Sequence, residues 1–444
     1  MNIAESAAAE QLFIARGWKK AASAQVCDVA IINSCSIRKT AEERIEGRLG
    51  WYSGLKKVRA CRPDAKAKLL EEAAEYVKDG PKPLTLVFMG CMAERLRESI
   101  KKDWPCIDYV VGTFAKHHFG EIIDAVEEKR TPFALDDTES YKFASLSYEP
   151  GSFSCFVPIM HGCNNFCTYC IVPYVRGRER SRDMKSIISE CEKLINDGYK
   201  EITLLGQNVN SYGNDVPDEN VNFANLLREV AKIDGKFRIR FMTSHPKDLT
   251  EDVVKAIRDN DKICNNIHLP IQAGSNSVLK NMNRRYTREH YLGLIDMIRR
   301  YLPDCGITTD IMVGFPYETE EDFLDTMDIV EKVRFSTAFT FIYSVRKGTK
   351  AAEMPQIPYE IKQNRIKRLI ARQNEITEEI SKDYVGNVYE ILVEGMQEKK
   401  NGYVVGRTES GRLVSAKGDE SMIGEFKNVK ITAVKNAQLL GEIL

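Results

Sequence analysis

Short apolar runs alternate with amphipathic helical runs through the middle of this chain. In the first helical run, Ile187, Cys191 and Ile195 recur at the spacing of one buried helix face. Repeated units of this kind predict a parallel β/α sheet that closes into a barrel or partial barrel, with functional residues at the carboxyl ends of its strands. The predicted strands are Phe153–Met160, Glu201–Gly206, Phe237–Thr243, Asn266–Ile271, Gly306–Val313 and Thr337–Tyr343, and the helices are Lys185–Asp197, Asn222–Ile233, Glu251–Asn260, Arg288–Tyr301 and Thr319–Val333.

A smaller α/β pattern precedes this repeat. Val26–Asn33 and Leu84–Met89 have the apolar, β-branched character of strands, and helical patterns occur around Thr40–Leu49 and over Leu69–Lys78. These elements predict an amino-terminal sheet domain that ends near Lys129 and is followed by a linker.

The pattern changes again after the repeat. Tyr359–Tyr384 reads as one long charged helix, and beyond Gly386 short alternating runs are separated by glycines. Such runs predict a small all-β barrel similar to the OB fold. We therefore expect three domains, over residues 1–129, 149–381 and 383–444. The alternating runs are Val388–Glu394, Gly402–Arg407, Leu413–Ala416 and Asn428–Val434.

Composition narrows the function classes. The 444 residues contain 64 Lys+Arg and 64 Asp+Glu, so any contact with a polyanion must use local patches rather than the overall charge. No run approaches the ~18 apolar residues that a membrane span needs, and the first residues do not resemble a signal peptide. We therefore expect a cytoplasmic protein, in which 12 cysteines stay reduced and serve as core residues, metal ligands or catalytic thiols.

Three cysteines have the spacing of metal ligands. Cys163, Cys167 and Cys170 lie within eight residues, directly after the first predicted barrel strand, where barrel chemistry is expected. Thiolates are the usual ligands of iron–sulfur clusters, and three of them would leave one iron of a four-iron cluster open to a small molecule. The alternative is a tetrahedral zinc site with His161 as its fourth ligand.

The same cysteine spacing resembles the radical S-adenosylmethionine (radical SAM) superfamily, and further segments are similar to its methylthiotransferase family. The resemblance covers nearly the whole chain, including an amino-terminal family domain, the radical SAM barrel and a carboxy-terminal domain like the TRAM module. The segments that carry it are Cys170–Arg182, Gly206–Asn210, Thr243–Pro246, His268–Ser275, Asn33–Arg38 and Gly90–Arg95.

The resemblance implies two [4Fe-4S] clusters and S-adenosyl-L-methionine as cofactors. Cys163, Cys167 and Cys170 would bind the radical SAM cluster, and Cys35 and Cys91, each at the carboxyl end of a predicted strand, would bind an auxiliary cluster. The family's third auxiliary ligand would come just before Met1, so we expect either a start assigned too late or an incomplete site. We interpret Cys27 as a core residue rather than a substitute ligand.

Other site residues follow from position and resemblance. Tyr169, Gln207, Asn208 and His268 are expected to bind the cofactor, and His245 also ends a predicted barrel strand. Tyr317 stands where the family usually has glycine, so we expect an adapted loop there. Residues 383–444 carry eight Lys/Arg and nine Asp/Glu, so only the fold resemblance favours RNA binding by this domain.

A run of arginines beside the cysteine motif could contact phosphates of RNA, although such runs are often solvated surface. The run consists of Arg176, Arg178, Arg180 and Arg182.

The resemblance implies methylthiolation of carbon 2 of N6-isopentenyladenosine next to the anticodon in tRNA. Alternatives are the same chemistry on threonylcarbamoyl-adenosine in tRNA or on a ribosomal protein aspartate, and a non-catalytic iron–sulfur RNA-binding protein. The expected partners are tRNA, an electron donor such as flavodoxin or ferredoxin, and a sulfur donor of unknown identity. We expect a monomer that does not bind a membrane.

Overall fold

The computed structural model describes residues 2–35, 39–64, 70–97, 99–113, 119–130, 143, 148, 151–398 and 400–444. Parts of the predicted Asn33–Arg38 motif and of the 129–150 linker, and the start of the Leu69–Lys78 helix, lie outside these residues. The chain forms two units, one of Met1–Glu149 with Cys170–Arg178 and one of Pro150–Tyr169 with Glu179–Leu444. None of the helices described is long and apolar enough to cross a membrane.

The first unit is built on a three-stranded parallel sheet in the order β1-β2-β3. Alternate residues of the central strand face opposite sides: Leu86 and Phe88 pack in one apolar cluster, and Val87 and Met89 pack in another. The first helix, the short third strand and the helix after it were not predicted individually, because their apolar runs are brief. The elements are α1 Asn2–Ala15, β1 Val29–Ser34, α2 Lys39–Arg59, α3 Glu71–Tyr76, β2 Thr85–Gly90, α4 Cys91–Arg95, α5 Ile100–Asp103, β3 Tyr109–Val111, α6 Phe119–Glu127 and, from the later segment, α7 Val172–Arg176.

The second unit contains the predicted partial barrel. Its six parallel strands form two three-stranded sheets. Backbone hydrogen bonds of Ile239 with Lys262 (2.7 Å) and Cys264 (2.9 Å) connect the two sheets, so that the six strands lie side by side in the order in which they occur in the chain. The strands are β4 Ser154–Pro158, β7 Glu201–Leu205, β8 Arg238–Phe241, β9 Asn266–His268, β10 Gly306–Val313 and β11 Thr337–Ile342, and a short antiparallel pair, β5 Met160–His161 and β6 Arg180–Ser181, follows β4.

Helices separate the barrel strands, and side-chain caps set where several of them begin. Thr319 caps one helix in a reciprocal capping box with Asp322, and Asp183 and Thr250 accept backbone hydrogen bonds at two others. The helices are α8 Met184–Asn196, α9 Phe223–Ala231, α10 Glu251–Arg258, α11 Asn276–Asn281, α12 Arg288–Tyr301, α13 Glu320–Val333 and α14 Tyr359–Lys382.

A closed five-stranded barrel completes this unit, in the order β12-β13-β14-β16-β15, which confirms the predicted OB-like fold. Its interior is filled by a cluster of apolar residues that includes Val393, Val404 and Val429. The last strand was not predicted, because its apolar and polar residues do not alternate regularly. The strands are β12 Val388–Met396, β13 Tyr403–Arg407, β14 Leu413–Lys417, β15 Phe426–Lys435 and β16 Gln438–Ile443.

The small barrel packs against the amino ends of the parallel strands. Arg238, the first residue of β8, donates to the carbonyls of Arg407 (2.7 Å) and Glu390 (2.9 Å). A Cβ atom on Gly306, which starts β10, would lie 2.1 Å from the carbonyl oxygen of Ser410, so this close approach requires glycine. The carboxyl ends of the parallel strands are therefore left for other contacts.

Buried Arg412 is part of the same junction, since it donates to the carbonyls of Ser336 (3.0 Å) and Ala437 (3.2 Å) and to the hydroxyl of Ser381. We predict that Arg412→Met removes one donor from each of these acceptors and lowers the free energy of unfolding by about 2–4 kcal/mol in urea denaturation. The control is Arg407→Met, which removes an exposed guanidinium paired with Glu394 and should cost only about 0–1 kcal/mol. Equal losses in both variants would contradict this account of the junction.

Candidate active site

The cysteine loop leaves the carboxyl end of the first barrel strand. After β4 and β5, Gly162 turns the chain with a φ of +80°, and the motif begins at Cys163. Cys167 is buried, and Cys163 and Cys170 are half-buried. The motif therefore occupies the predicted edge of the sheet. Cys170 is the first residue of the segment that belongs to the first unit.

Hydrogen bonds from the turn after α11 fix the shape of this loop. The amide of Thr168 donates to the carbonyl of Met282 (3.0 Å), and its hydroxyl donates to the carbonyl of Asn281 (2.9 Å). The side chain of Asn283 donates to the carbonyl of Phe166 (2.9 Å), whose φ of +48° makes a tight bend. Hydrogen bonds from residues 281–283 thus hold the loop at Phe166 and Thr168.

Asn164 and Glu179 brace the other side of the loop. The Asn164 amide donates to the Glu179 carboxylate (3.1 Å), and the Glu179 amide donates to the Asn164 side chain (3.3 Å). Burial raises the pKa of Glu179, although the hydrogen bond from the Asn164 backbone opposes this shift. Glu179, which sequence analysis did not select, belongs to the support of the loop.

The chemistry of the loop fits a metal cluster. Burial raises the pKa of the Cys163 thiol to about 11, so a metal must displace its proton before the sulfur can act as a ligand. Within the described ranges, no three His, Cys, Asp or Glu side chains converge on the position of a single metal ion. The ligands of a four-iron cube bind different irons, so they do not need to converge on one point.

A buried cation lies against this motif. The guanidinium of Arg284, only 8% exposed, has its Nη1 3.5 Å from the Sγ of Cys167. Its other nitrogens donate to the hydroxyl of Tyr286 (2.8 Å) and the carbonyl of Pro270 (2.8 Å). A buried charge is costly unless it is compensated, so this arrangement favours an anionic group at Cys167. No residue spacing along the chain indicates Arg284 as part of this site.

A second group of buried polar atoms lies just beyond the carboxyl ends of β7 and β8. Each lacks a hydrogen-bond partner among the residues that the structure describes, and buried polar atoms usually have one. A polar small molecule such as S-adenosylmethionine would supply those partners. Gln207 and Asn208 were predicted here from the sequence, whereas Asn210 and Ser244 were not. The atoms are Gln207 Oε1, Asn208 Oδ1, Asn210 Nδ2, Ser244 Oγ and His245 Nε2.

His245 is held as a neutral donor. The amide of Lys247 donates to its Nδ1 (3.2 Å), which leaves the proton on Nε2. Burial lowers the pKa of His245 strongly, and the positive charges of Arg284 and Lys247 lower it further. The ring also packs edge-on against Tyr286 at 5.6 Å. His245 is therefore better suited to donate a hydrogen bond to a ligand than to carry a charge.

The other predicted cofactor-binding residues have protein partners. His268 contacts the hydroxyl of Thr308 (3.0 Å) through Nδ1, and its Nε2 is 3.8 Å from the carboxylate of Asp310. Tyr169 packs edge-on against Phe315 at 6.3 Å. Both side chains are half-buried at the barrel, and their role toward a cofactor remains a prediction.

The first unit places Cys35 and Cys91 at the same edge of its sheet. Ser34 and Gly90 are paired at the carboxyl ends of the parallel strands β1 and β2, and the two cysteines follow them directly. Cys91 is buried beside Ile171 and Val175. Cys27, in contrast, packs in the apolar core of this unit.

Comparison with known proteins identifies the family. Residues 157–330 match the radical SAM superfamily, residues 382–444 match the TRAM domain, and residues 1–63 match the uncharacterized protein family UPF0004. A tRNA-2-methylthio-N(6)-dimethylallyladenosine synthase of Clostridium botulinum (strain Langeland) is 44% identical over 100% of this chain and 94% of the relative. The chain belongs to the family of these synthases.

Other relatives agree with this assignment. Synthases of the same name from Thermoanaerobacter pseudethanolicus and Treponema pallidum are 44% and 42% identical over 100% of this chain, and over 90% and 96% of their own lengths. The fold resembles that of the radical SAM methyltransferase TsrM from Kitasatospora setae, with a TM-score of 0.50 and 14% identity over 73% of this chain. This chain covers 65% of that methyltransferase.

The arginine run of this synthase family member is not uniformly accessible. Arg176 is 4% exposed and pairs with Glu5 (3.3 Å), so it is not available to a phosphate as the sequence suggested. Arg182 is largely buried and engages Glu190 and the hydroxyl of Ser186. Arg178 and Arg180 are exposed. We therefore retain the prediction of RNA contact for Arg178 and Arg180 alone.

Tyr317, where this family usually has glycine, adopts a φ of +67° with its side chain 56% exposed. The position thus requires the left-handed backbone that glycine provides, and the tyrosine ring extends into solvent. Left-handed geometry costs a non-glycine residue about 1–2 kcal/mol.

We predict that Tyr317→Gly raises the free energy of unfolding by about 0.5–1 kcal/mol, because relief of this strain exceeds the added entropy of the unfolded chain. Tyr359→Gly, at an exposed position in the first turn of α14, is the control and should lower it by about 0.5–1 kcal/mol. Chemical denaturation of both variants measures the difference. Destabilisation by both substitutions would show that residue 317 is not strained.

Proposed function

We propose that this protein replaces the hydrogen on carbon 2 of N6-isopentenyladenosine, next to the anticodon in tRNA, with a methylthio group. The observation that carries this proposal is identity of 42–44% over the whole chain with relatives named for this product. The cysteine loop at the carboxyl edge of the parallel strands supports the proposal, because radical SAM chemistry needs a cluster at that edge.

Cys163, Cys167 and Cys170 would hold a [4Fe-4S] cluster with one iron free for the amino and carboxylate groups of S-adenosylmethionine. When bound, the cluster would supply the single electron that makes S-adenosylmethionine a source of the radical that removes the hydrogen. A second S-adenosylmethionine would supply the methyl group. Cys35 and Cys91 would help to hold an auxiliary [4Fe-4S] cluster that binds the transferred sulfur.

The chain itself would bind and orient the reactants. Gln207, Asn208 and neutral His245 offer unsatisfied polar atoms to S-adenosylmethionine, and the braced loop keeps the cysteines in place. Tyr169 and His268 would line the same cofactor site.

Exposed Arg178 and Arg180 and the TRAM-like residues 383–444 would bind tRNA, and residues 1–129 and 149–381 would form the auxiliary-cluster and radical SAM domains. We propose that the protein acts as a monomer in the cytoplasm, where tRNA is located. Its reductant would be flavodoxin or ferredoxin, since the reaction needs one electron at a time.

The test is mass spectrometry of tRNA nucleosides from a deletion strain. We expect the 2-methylthio-N6-isopentenyl nucleoside to disappear, to return with the wild-type gene, and to stay absent with Cys167→Ala. Cys305→Ala is the control, because this half-buried thiol lies outside the motif, and it should restore the nucleoside.

Each other outcome supports an alternative. The nucleoside could persist in the deletion strain while the methylthio group is lost from threonylcarbamoyl-adenosine or from the ribosomal protein aspartate. That result would identify the residue that lost the group as the substrate. If anaerobically reconstituted protein with S-adenosylmethionine and a reductant forms no 5′-deoxyadenosine, a non-catalytic RNA-binding protein is favoured. Zinc without iron in the purified protein would overturn the cluster assignment.

For tRNA binding, we predict that Arg178→Ala with Arg180→Ala weakens affinity through lost phosphate contacts. The magnitude of the slope of log K against log salt concentration should decrease by about 0.7–0.9 for each phosphate contact that is lost. Arg258→Ala with Arg300→Ala, exposed on the outer helices α10 and α12, should leave the slope unchanged. An equal change in both pairs would indicate non-specific attraction.

A further inference from the structure

Arg284 belongs to the turn that shapes the cysteine loop. Its amide donates to the carbonyl of Leu279 (2.8 Å), which closes the end of α11, and the two preceding residues, Met282 and Asn283, bind the loop at Thr168 and Phe166. The backbone therefore carries the guanidinium to Cys167 with little freedom. The position of this cation is built into the fold of the motif.

The guanidinium has no carboxylate partner among the residues that surround it in the described structure. It donates instead to the carbonyl of Pro270 and to the hydroxyl of Tyr286. Burial raises the pKa of Tyr286 to about 12, so this hydroxyl is neutral, and it donates to the carbonyl of Ile271 (2.7 Å). Neutral His245 offers no negative charge either. A metal cluster bound through Cys167 would supply the negative charge that this guanidinium lacks.

The charge of an iron–sulfur cluster explains what such a cation can do. Three thiolates outweigh the positive charge of the oxidised iron–sulfide core, and reduction adds one more negative charge. Hydrogen bonds to cluster sulfurs, net charge and burial are what set the reduction potential. A fixed positive charge beside a ligating sulfur stabilises the reduced form more than the oxidised form, and low local dielectric strengthens the effect.

We propose that Arg284 is a positioning residue that raises the reduction potential of the cluster on Cys163, Cys167 and Cys170 by its charged hydrogen bond to the Cys167 sulfur. This inference rests on the proposed function only for the presence of a cluster on that loop. It assigns to Arg284 a role in making the cluster reducible by a biological electron donor.

The test is a mediated redox titration of the full-length, anaerobically reconstituted protein, followed by electron paramagnetic resonance. All samples carry Cys35→Ala and Cys91→Ala, so that one cluster is observed. For Arg284→Gln, which removes the charge but keeps a donor, we expect an about tenfold lower ratio of reduced to oxidised cluster at a fixed potential. This ratio corresponds to a midpoint about 59 mV lower for one electron.

Two further variants separate charge from structure. Arg284→Lys keeps the charge and should stay within about twofold of the wild-type ratio, since an ammonium loses the fork geometry but not the Coulomb interaction. Arg238→Gln removes another buried arginine, at the amino end of β8, and should leave the potential unchanged. An Arg284→Gln protein with full iron and the wild-type potential would overturn the proposal.

If Arg284→Gln fails to retain iron, the iron content and the reduction potential of Arg284→Lys test the proposal instead. Retained iron with a potential close to wild type supports the proposal, and lost iron with unchanged circular dichroism and unfolding overturns it. The titration needs neither tRNA nor S-adenosylmethionine. Failure of the substrate proposal would thus appear only in the nucleoside analysis, and failure of the cluster assignment would appear as missing iron in the parent protein.

Discussion

The hydrogen bonds between the cysteine loop and the turn after α11 are the contacts on which the candidate site depends. Thr168, Phe166 and Cys167 are each contacted by residues 281–284, more than a hundred positions later in the chain. This turn follows α11, the helix after β9, so the loop that follows β4 keeps its shape only while these two parts of the barrel stay packed together. A local motif is thereby made rigid by distant residues, as a cofactor site requires.

The two ends of the parallel barrel strands have different roles. The carboxyl ends present the cysteine loop and a group of unsatisfied polar atoms after β7 and β8. The amino ends are covered by the small β-barrel, through buried Arg238 and Arg412 and the close approach at Gly306. Covering the amino ends stabilises the sheet without using any of the edge where ligands bind in such folds.

Charge and burial explain which residues near the motif are available for function. Four arginines follow the cysteines at close spacing, yet Arg176 pairs with Glu5 inside the first unit and Arg182 pairs with Glu190. The arginine that contacts Cys167, Arg284, is separated from the motif by more than a hundred residues. Proximity in sequence was therefore a poor guide to electrostatic partners, because burial and pairing depend on the packed fold.

The sequence by itself determined the β/α order, the small β-barrel and the cysteine motif, because hydrophobic period and ligand spacing are local properties. It also indicated Gln207 and Asn208, by position after a strand and by resemblance. Only the tertiary structure decided that Arg284, Asn210, Ser244 and neutral His245 join them, that Arg176 is buried, and that Tyr317 has a left-handed backbone. The physical reason is that burial, counter-charges and backbone strain arise from contacts between residues far apart in the chain, which no local pattern records.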